Sequence, residues 1–153
     1  MAIRMKSHVE MQMSGTAASH ARTDIAVRDL TAVIDEPEAR GGTNKGLTPT
    51  ETLLSALIGC TNVISSRLAE RDGLRLEGME ISARASFDRR GAALEADVAV
   101  PFPSIALDIS VRTDASPEQL DRLKRDLATH CPIARVLRAA GTEITETWTT
   151  SPV

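Results

Sequence analysis

The stretch "TPTETLLSALIGCTNVISSRLAERDG", residues 48 to 73, is the strongest constraint in the sequence, because it can be little other than one long amphipathic helix. Thr48 is placed to cap it, Pro49 takes the first helical position, Glu51 completes a T-x-x-E capping box, and Gly73 ends it. Leu53, Leu57, Cys60 and Ile64 recur at spacings of four, three and four, and Leu54, Ile58 and Leu68 widen the stripe. A stripe of that width must be covered by another layer. It also turns the Cys60 thiol toward the apolar side, where bulk water reaches it poorly.

The remaining segments supply candidates for that layer. Residues 5 to 13, "MKSHVEMQM", alternate with Met5, Ser7, Val9, Met11 and Met13 on one face, which predicts a half-buried strand. "TDIAVRDLTAVIDEP" is rich in β-branched residues and stops at a proline. "GMEISARASFD" alternates throughout, Ile105, Leu107, Ile109 and Val111 repeat the period, and "EITETW" gives a last short strand. "SPEQLDRLKRDLATH" reads as a helix entered through Ser116, Pro117 and Gln119, with Leu120, Leu123 and Leu127 on one face. After Cys131, Pro132 opens "PIARVLRAA", which stops at Gly141. Strands, long helix, strands, two helices and strand predict an α+β fold: antiparallel sheets with a long central helix and two C-terminal helices, in a single domain over residues 1–153. The loops are "EPEARGGTNKGLTP" and "DRRGAALEADVAVPFP", the second a hairpin connection or a flap around Gly91.

Composition narrows the function. A net charge of −3 with scattered Lys and Arg, and only 2% aromatic residues, argue against nucleic-acid binding. No secretory h-region opens the chain and no apolar run approaches the 18 or so residues of a membrane span, so the expectation is a cytoplasmic protein. In a reducing compartment two cysteines are core thiols, metal ligands or redox groups before they are a structural disulfide. Two Cys and three His without C-x-x-C or H-x-x-x-H spacing give no metal set, and "GGTNKG" lacks the spacing of either nucleotide fingerprint, so no cofactor is expected.

Each candidate residue has a structural reading beside the chemical one. Cys60 can be a small core hydrophobe, yet the mid-helix Gly59 beside it costs roughly 1 kcal/mol against Ala, which indicates a close approach at that turn. Glu51 is fully accounted for by the capping box. Cys131 sits where one helix ends and the next begins, a setting that lowers a thiol pKa, or it is simply a poor N-cap. His130 reads as a surface residue.

The combination "DEPEARGGTNKGLTPTETLLSALIGCTNV", followed by "HCPIARVL" 71 positions after its cysteine, resembles the OsmC/Ohr family of thiol peroxidases over nearly the whole chain. The Gly-rich loop with T-P-x-E, the small-residue-Cys turn and the late Cys-Pro carry the resemblance. It implies an intertwined homodimer that reduces organic hydroperoxides, with Cys60 matching the peroxidatic cysteine, Cys131 the resolving one and Glu51 the active-site carboxylate. It also implies a thiolate-holding arginine. Arg40 is the choice here, with Arg22 and Arg28 as alternatives nearer the N-terminus. The implied scheme runs through a Cys60 sulfenic acid and a Cys60–Cys131 disulfide that an external dithiol, lipoyl-type or other, reduces, without metal or flavin. Residues 51 and 60 of one helix stand about 13.5 Å apart along its axis and about 180° apart around it. A site using both therefore needs a neighbouring subunit or a helix break. The competing readings are a non-enzymatic dimeric module binding a small apolar ligand or partner, and a thiol-dependent hydrolase.

Overall fold

A computed structural model describes residues 7–153, which fold as β1 (Ser14–Ala17), β2 (Thr23–Val27), β3 (Leu30–Ile34), α1 (Pro49–Asp72), β4 (Leu76–Ser86), β5 (Ser104–Thr113), α2 (Pro117–His130), α3 (Pro132–Ala139) and β6 (Glu143–Ser151). The chain divides into two compact units, residues 1–53 and 54–153.

The first unit is a meander in the order β1-β2-β3, antiparallel throughout. The β-branched stretch from Thr23 is not one strand: it folds back at Arg28, whose φ of 54° gives the tight left-handed turn, so that Val27 pairs with Leu30. The predicted strand over residues 5–13 is corrected. Met5 and Lys6 lie outside the described residues, and residues 7–13 have no regular structure, with Val9 and Met11 76% and 93% exposed. Ser14 pairs with Ala26 and β2 ends one residue later, so the described residues before Ser14 run past the end of β2.

Beyond β3 the Gly-rich loop is shaped by backbone proximity. A side chain on Gly42 would place its Cβ 1.8 Å from the Glu36 carbonyl oxygen, and one on Gly46 would stand 1.9 Å from that of Val33. Only glycine fits either position. The loop includes a single 3-10 turn, Glu38–Arg40, and closes through a parallel bridge between Ile34 and Leu47.

The second unit holds the core. In β5 the predicted alternation is realised, with Ile105, Leu107, Ile109 and Val111 all buried, joined by Leu123 and Leu127 of α2 and Ala134 and Leu137 of α3. The sheet order is β4-β5-β6. β4 and β5 are antiparallel as predicted, whereas β6 joins β5 in parallel, which makes this sheet mixed. The reason is topological: α2 and α3 form the crossover that returns the chain to the same end of the sheet.

α1 is rotated relative to its predicted stripe. The residues of α1 that are buried are Leu57, Thr61, Ser65, Leu68 and Ala69, while Leu53, Leu54, Ile58 and Ile64 are half-buried and Val63 is 46% exposed. The Thr61 hydroxyl tolerates the interior because it donates to the Leu57 carbonyl at 2.8 Å. By length and composition α1 is apolar enough to cross a membrane, with a mean hydropathy of 1.2 over its best window, a test that a core helix also passes. Its C-terminal end is tied to α2 by ion pairs, Arg71 with Asp126 and Asp72 with Arg122.

Candidate functional site

The two cysteines meet in the second unit. Cys60 lies on α1 and is half-buried; Cys131 is 1% exposed at the junction of α2 and α3. Both are reduced, and the Cys131 thiol donates to the Cys60 sulfur at 2.9 Å. That separation exceeds a disulfide bond by about 0.9 Å, so little motion separates the dithiol from the bonded pair. The junction is fixed locally. The Cys131 amide still donates to Leu127 at the end of α2, its carbonyl accepts from Arg135 in α3, and its sulfur caps α3 by accepting from the Ala134 amide at 3.5 Å. Pro132, with no amide proton to leave orphaned, starts the new helix.

The expectation that the α3 N-terminus lowers the Cys131 pKa is not met. Burial pushes the thiol up to about 11, the hydrogen bond it donates to Cys60 adds to the rise, and the Ala134 amide opposes it too weakly to matter. Weak contacts from the Ala134 and Ile133 amides do not compensate for removing a sulfur charge from water. Cys131 is therefore held as a thiol that gives its proton toward Cys60. His130 is exposed, as predicted.

The remaining predicted site residues belong to the first unit. Glu51 closes the predicted capping box: the Thr48 amide donates to its carboxylate at 2.8 Å, and its own amide donates to the Thr48 hydroxyl at 3.2 Å. These bonds hold the carboxyl below its ordinary value, with a smaller contribution from the charge of Arg40. Arg40 ends the 3-10 turn and is 62% exposed, and its guanidinium pairs with Glu36 at 2.6 Å rather than bidentately with Glu51. Arg22 pairs with Asp24 on β2, and Arg28 occupies the β2–β3 turn. α1 is unbroken between residues 51 and 60, so no helix break brings Glu51 toward the Cys60 of its own helix. Among the described residues no group of His, Cys, Asp and Glu could hold a metal ion.

One residue escaped sequence reasoning. Asp35 is completely buried and accepts from the amides of Glu36, Thr43 and Lys45 and from the Thr43 hydroxyl. These bonds keep its carboxyl at about 2, the Thr43 hydroxyl contributing most. The only available signal was an Asp at a strand end before a Gly- and Thr-rich loop, where such side chains organise neighbouring backbone.

A family model described as OsmC-like protein matches residues 42–147. No curated protein matches the chain by sequence. Among solved structures, the OsmC-like protein from Mycoplasma pneumoniae superposes with a TM-score of 0.77 at 14% identity, over 93% of this chain and 97% of that one. An organic hydroperoxide resistance protein from Elizabethkingia anophelis gives 0.67 at 13% identity, over 96% and 100% of the two chains. The organic hydroperoxide resistance protein OhrB of Bacillus subtilis gives 0.61 at 18% identity, over 92% and 98%. At these identities the likeness is one of fold.

Proposed function

The chain belongs to the OsmC-like protein family, and from that premise we propose that it is a cysteine-based peroxidase that reduces organic hydroperoxides to alcohols. The observation that carries this reading is the reduced Cys60–Cys131 pair, 2.9 Å apart, with one thiol half-buried and the other buried and protonated. That two of the structural relatives are named for organic hydroperoxide resistance supports the choice of substrate.

The roles follow from the difference between the sulfurs. Cys60 is the one that incoming peroxide can reach, and its sulfur accepts the hydrogen bond that Cys131 donates. The thiolate attacks the terminal oxygen of R–O–O–H, the O–O bond breaks, the alkoxide leaves and is protonated to alcohol, and Cys60 becomes a sulfenic acid. Cys131 sulfur then displaces the sulfenic hydroxyl, which departs with the Cys131 proton as water, and a Cys60–Cys131 disulfide remains. An external dithiol reduces it by exchange and is itself oxidised. The half-buried Leu and Ile side chains of α1 offer an organic tail apolar surface, which favours alkyl hydroperoxides over hydrogen peroxide.

Arg40 serves as the cation that stabilises the thiolate, and Glu51 as the carboxylate that orients the guanidinium once substrate is bound. Because α1 is continuous, Glu51 acts on the Cys60 of a second copy, so the functional form is a homodimer. Within the chain nothing approaches Gly59, where an added Cβ would meet nothing within 4 Å, so the close approach expected at that turn falls to the second copy. A cytoplasmic, reducing location fits two free thiols.

The burial and raised pKa of Cys131 also fit a passive core thiol, and so favour a second reading, a non-enzymatic dimeric module for a small apolar ligand. Intact mass after one equivalent of cumene hydroperoxide separates the two. The peroxidase loses two hydrogens as the disulfide forms, Cys131→Ser gains one oxygen on Cys60, and Cys60→Ser is unchanged. A wild-type mass that does not change supports the binding module.

A further inference from the structure

We propose that Asp35 is the positioning residue for Arg40: its buried carboxylate ties both ends of the Gly-rich loop to one point and so fixes the turn that carries the guanidinium. The inference rests on the reading of Arg40 as the cation of the thiol site. It goes beyond that reading by assigning the residue that places it.

The loop is organised around a single side chain. Oδ1 accepts from the Glu36 amide at 2.9 Å, at the loop's start. Oδ2 accepts from the Thr43 amide at 3.1 Å, the Thr43 hydroxyl at 2.6 Å and the Lys45 amide at 3.0 Å, at its end. The Asp35 amide in turn donates to the Leu47 carbonyl at 2.9 Å. Residues 36 and 43 are thereby held side by side, and the intervening chain has little choice of path. Asn44 donates to the Glu36 carbonyl and Gly42 to that of Pro37, and Gly41, at a φ of 83°, closes the turn behind Arg40. Arg40 then pairs with Glu36, the residue whose amide Asp35 holds. Asp35 acts through the loop rather than on substrate.

A carboxylate is required and an amide of the same shape is not equivalent. Every partner of the two oxygens is a donor, and an ionised carboxylate is acceptor-only, whereas Asn presents two N–H donors. Asp35→Asn therefore sets donor against donor at Oδ1 or at Oδ2. The carboxyl stays ionised throughout the working pH range, held at about 2 by the same bonds.

The test compares wild type, Asp35→Asn, Arg40→Met and the double variant by two readouts. One is kcat/KM for cumene hydroperoxide; the other is the pH midpoint for alkylation of Cys60, which does not depend on turnover. Asp35→Asn is expected to lower kcat/KM about 10- to 100-fold, the cost of misplacing a charged group by an ångström or so, and to raise the alkylation midpoint. Added to Arg40→Met it should change either value by less than about twofold, since both variants remove the same contribution. Should Asp35→Asn fail to fold, Thr43→Val removes one bond to Oδ2 and must shift the midpoint in the same direction, again without effect in the Arg40→Met background. Additive losses, or an alkylation midpoint that Asp35→Asn leaves at the wild-type value, overturn the proposal. A wild type that alkylates with a midpoint sensitive to both variants yet does not turn over peroxide supports the positioning role and refutes the peroxidase reading instead.

Discussion

At the scale of single residues, burial and hydrogen bonding decide the chemistry of the ionisable groups more than sequence neighbours do. Cys131 follows His130 and precedes Pro132 at a helix start, which alone suggests a reactive thiol, but enclosure in the core raises its pKa from 9.0 to about 11. The folded thiol holds its proton more tightly than the unfolded one. Its contribution to stability is therefore complete below pH 9 and is lost as pH climbs toward 11. Reduced protein should lose unfolding free energy across that window in urea titrations, and Cys131→Ser should flatten the loss; an unchanged slope would mean that the thiol is not enclosed in solution. Asp35 behaves in the opposite sense. Its carboxyl lies at about 2, below the ordinary 3.8, so its contribution is present above pH 3.8 and is lost as pH falls through 2. Amide exchange of Thr43 and Lys45 should accelerate over that range before the amides of β5 do.

The elements with short-range causes are those the sequence discloses. Both capping boxes lie within four residues, Thr48 with Glu51 and Ser116 with Gln119, and both form. Thr48→Ala and Ser116→Ala should each lower stability by about 1 kcal/mol in chemical denaturation, without altering the slope. Gly42→Ala should cost more than either, because its Cβ would meet the Glu36 carbonyl; a neutral effect would mean that the loop has another conformation. The buried alternation of β5 was legible for a similar reason, since its period repeats residue by residue. Pairing is not local, and there the sequence runs out. Nothing in "EITETW" states that its partner runs parallel, and nothing in "SHVEMQM" shows that β2 ends too early to pair with it. The rotation of α1 has a related cause: periodicity counts apolar residues and passes over Thr61 and Ser65, which the core accepts on the buried face. In the candidate site, the late Cys-Pro and the helix cysteine were legible as a pair, whereas Asp35 was not, because most of its partners are backbone amides that carry no sequence signature.

For the whole molecule, the proposed site, with Glu51 and Cys60 on one unbroken helix, needs two copies. α1 leaves Leu53, Leu54, Ile58 and Ile64 half-buried and Val63 46% exposed, and Gly59 stands open between them. Sedimentation velocity should give a dimer, and Gly59→Leu should shift it toward monomer; a dimer indifferent to that change would place the interface elsewhere. Whether Cys60 and Cys131 together turn over organic peroxide is read from the consumption of cumene hydroperoxide with excess dithiol. Wild type should turn over steadily, Cys60→Ser not at all, and Cys131→Ser should consume a single equivalent and then recycle slowly. Equal rates in all three proteins, or no turnover by fully reduced wild type, would contradict the peroxidase reading.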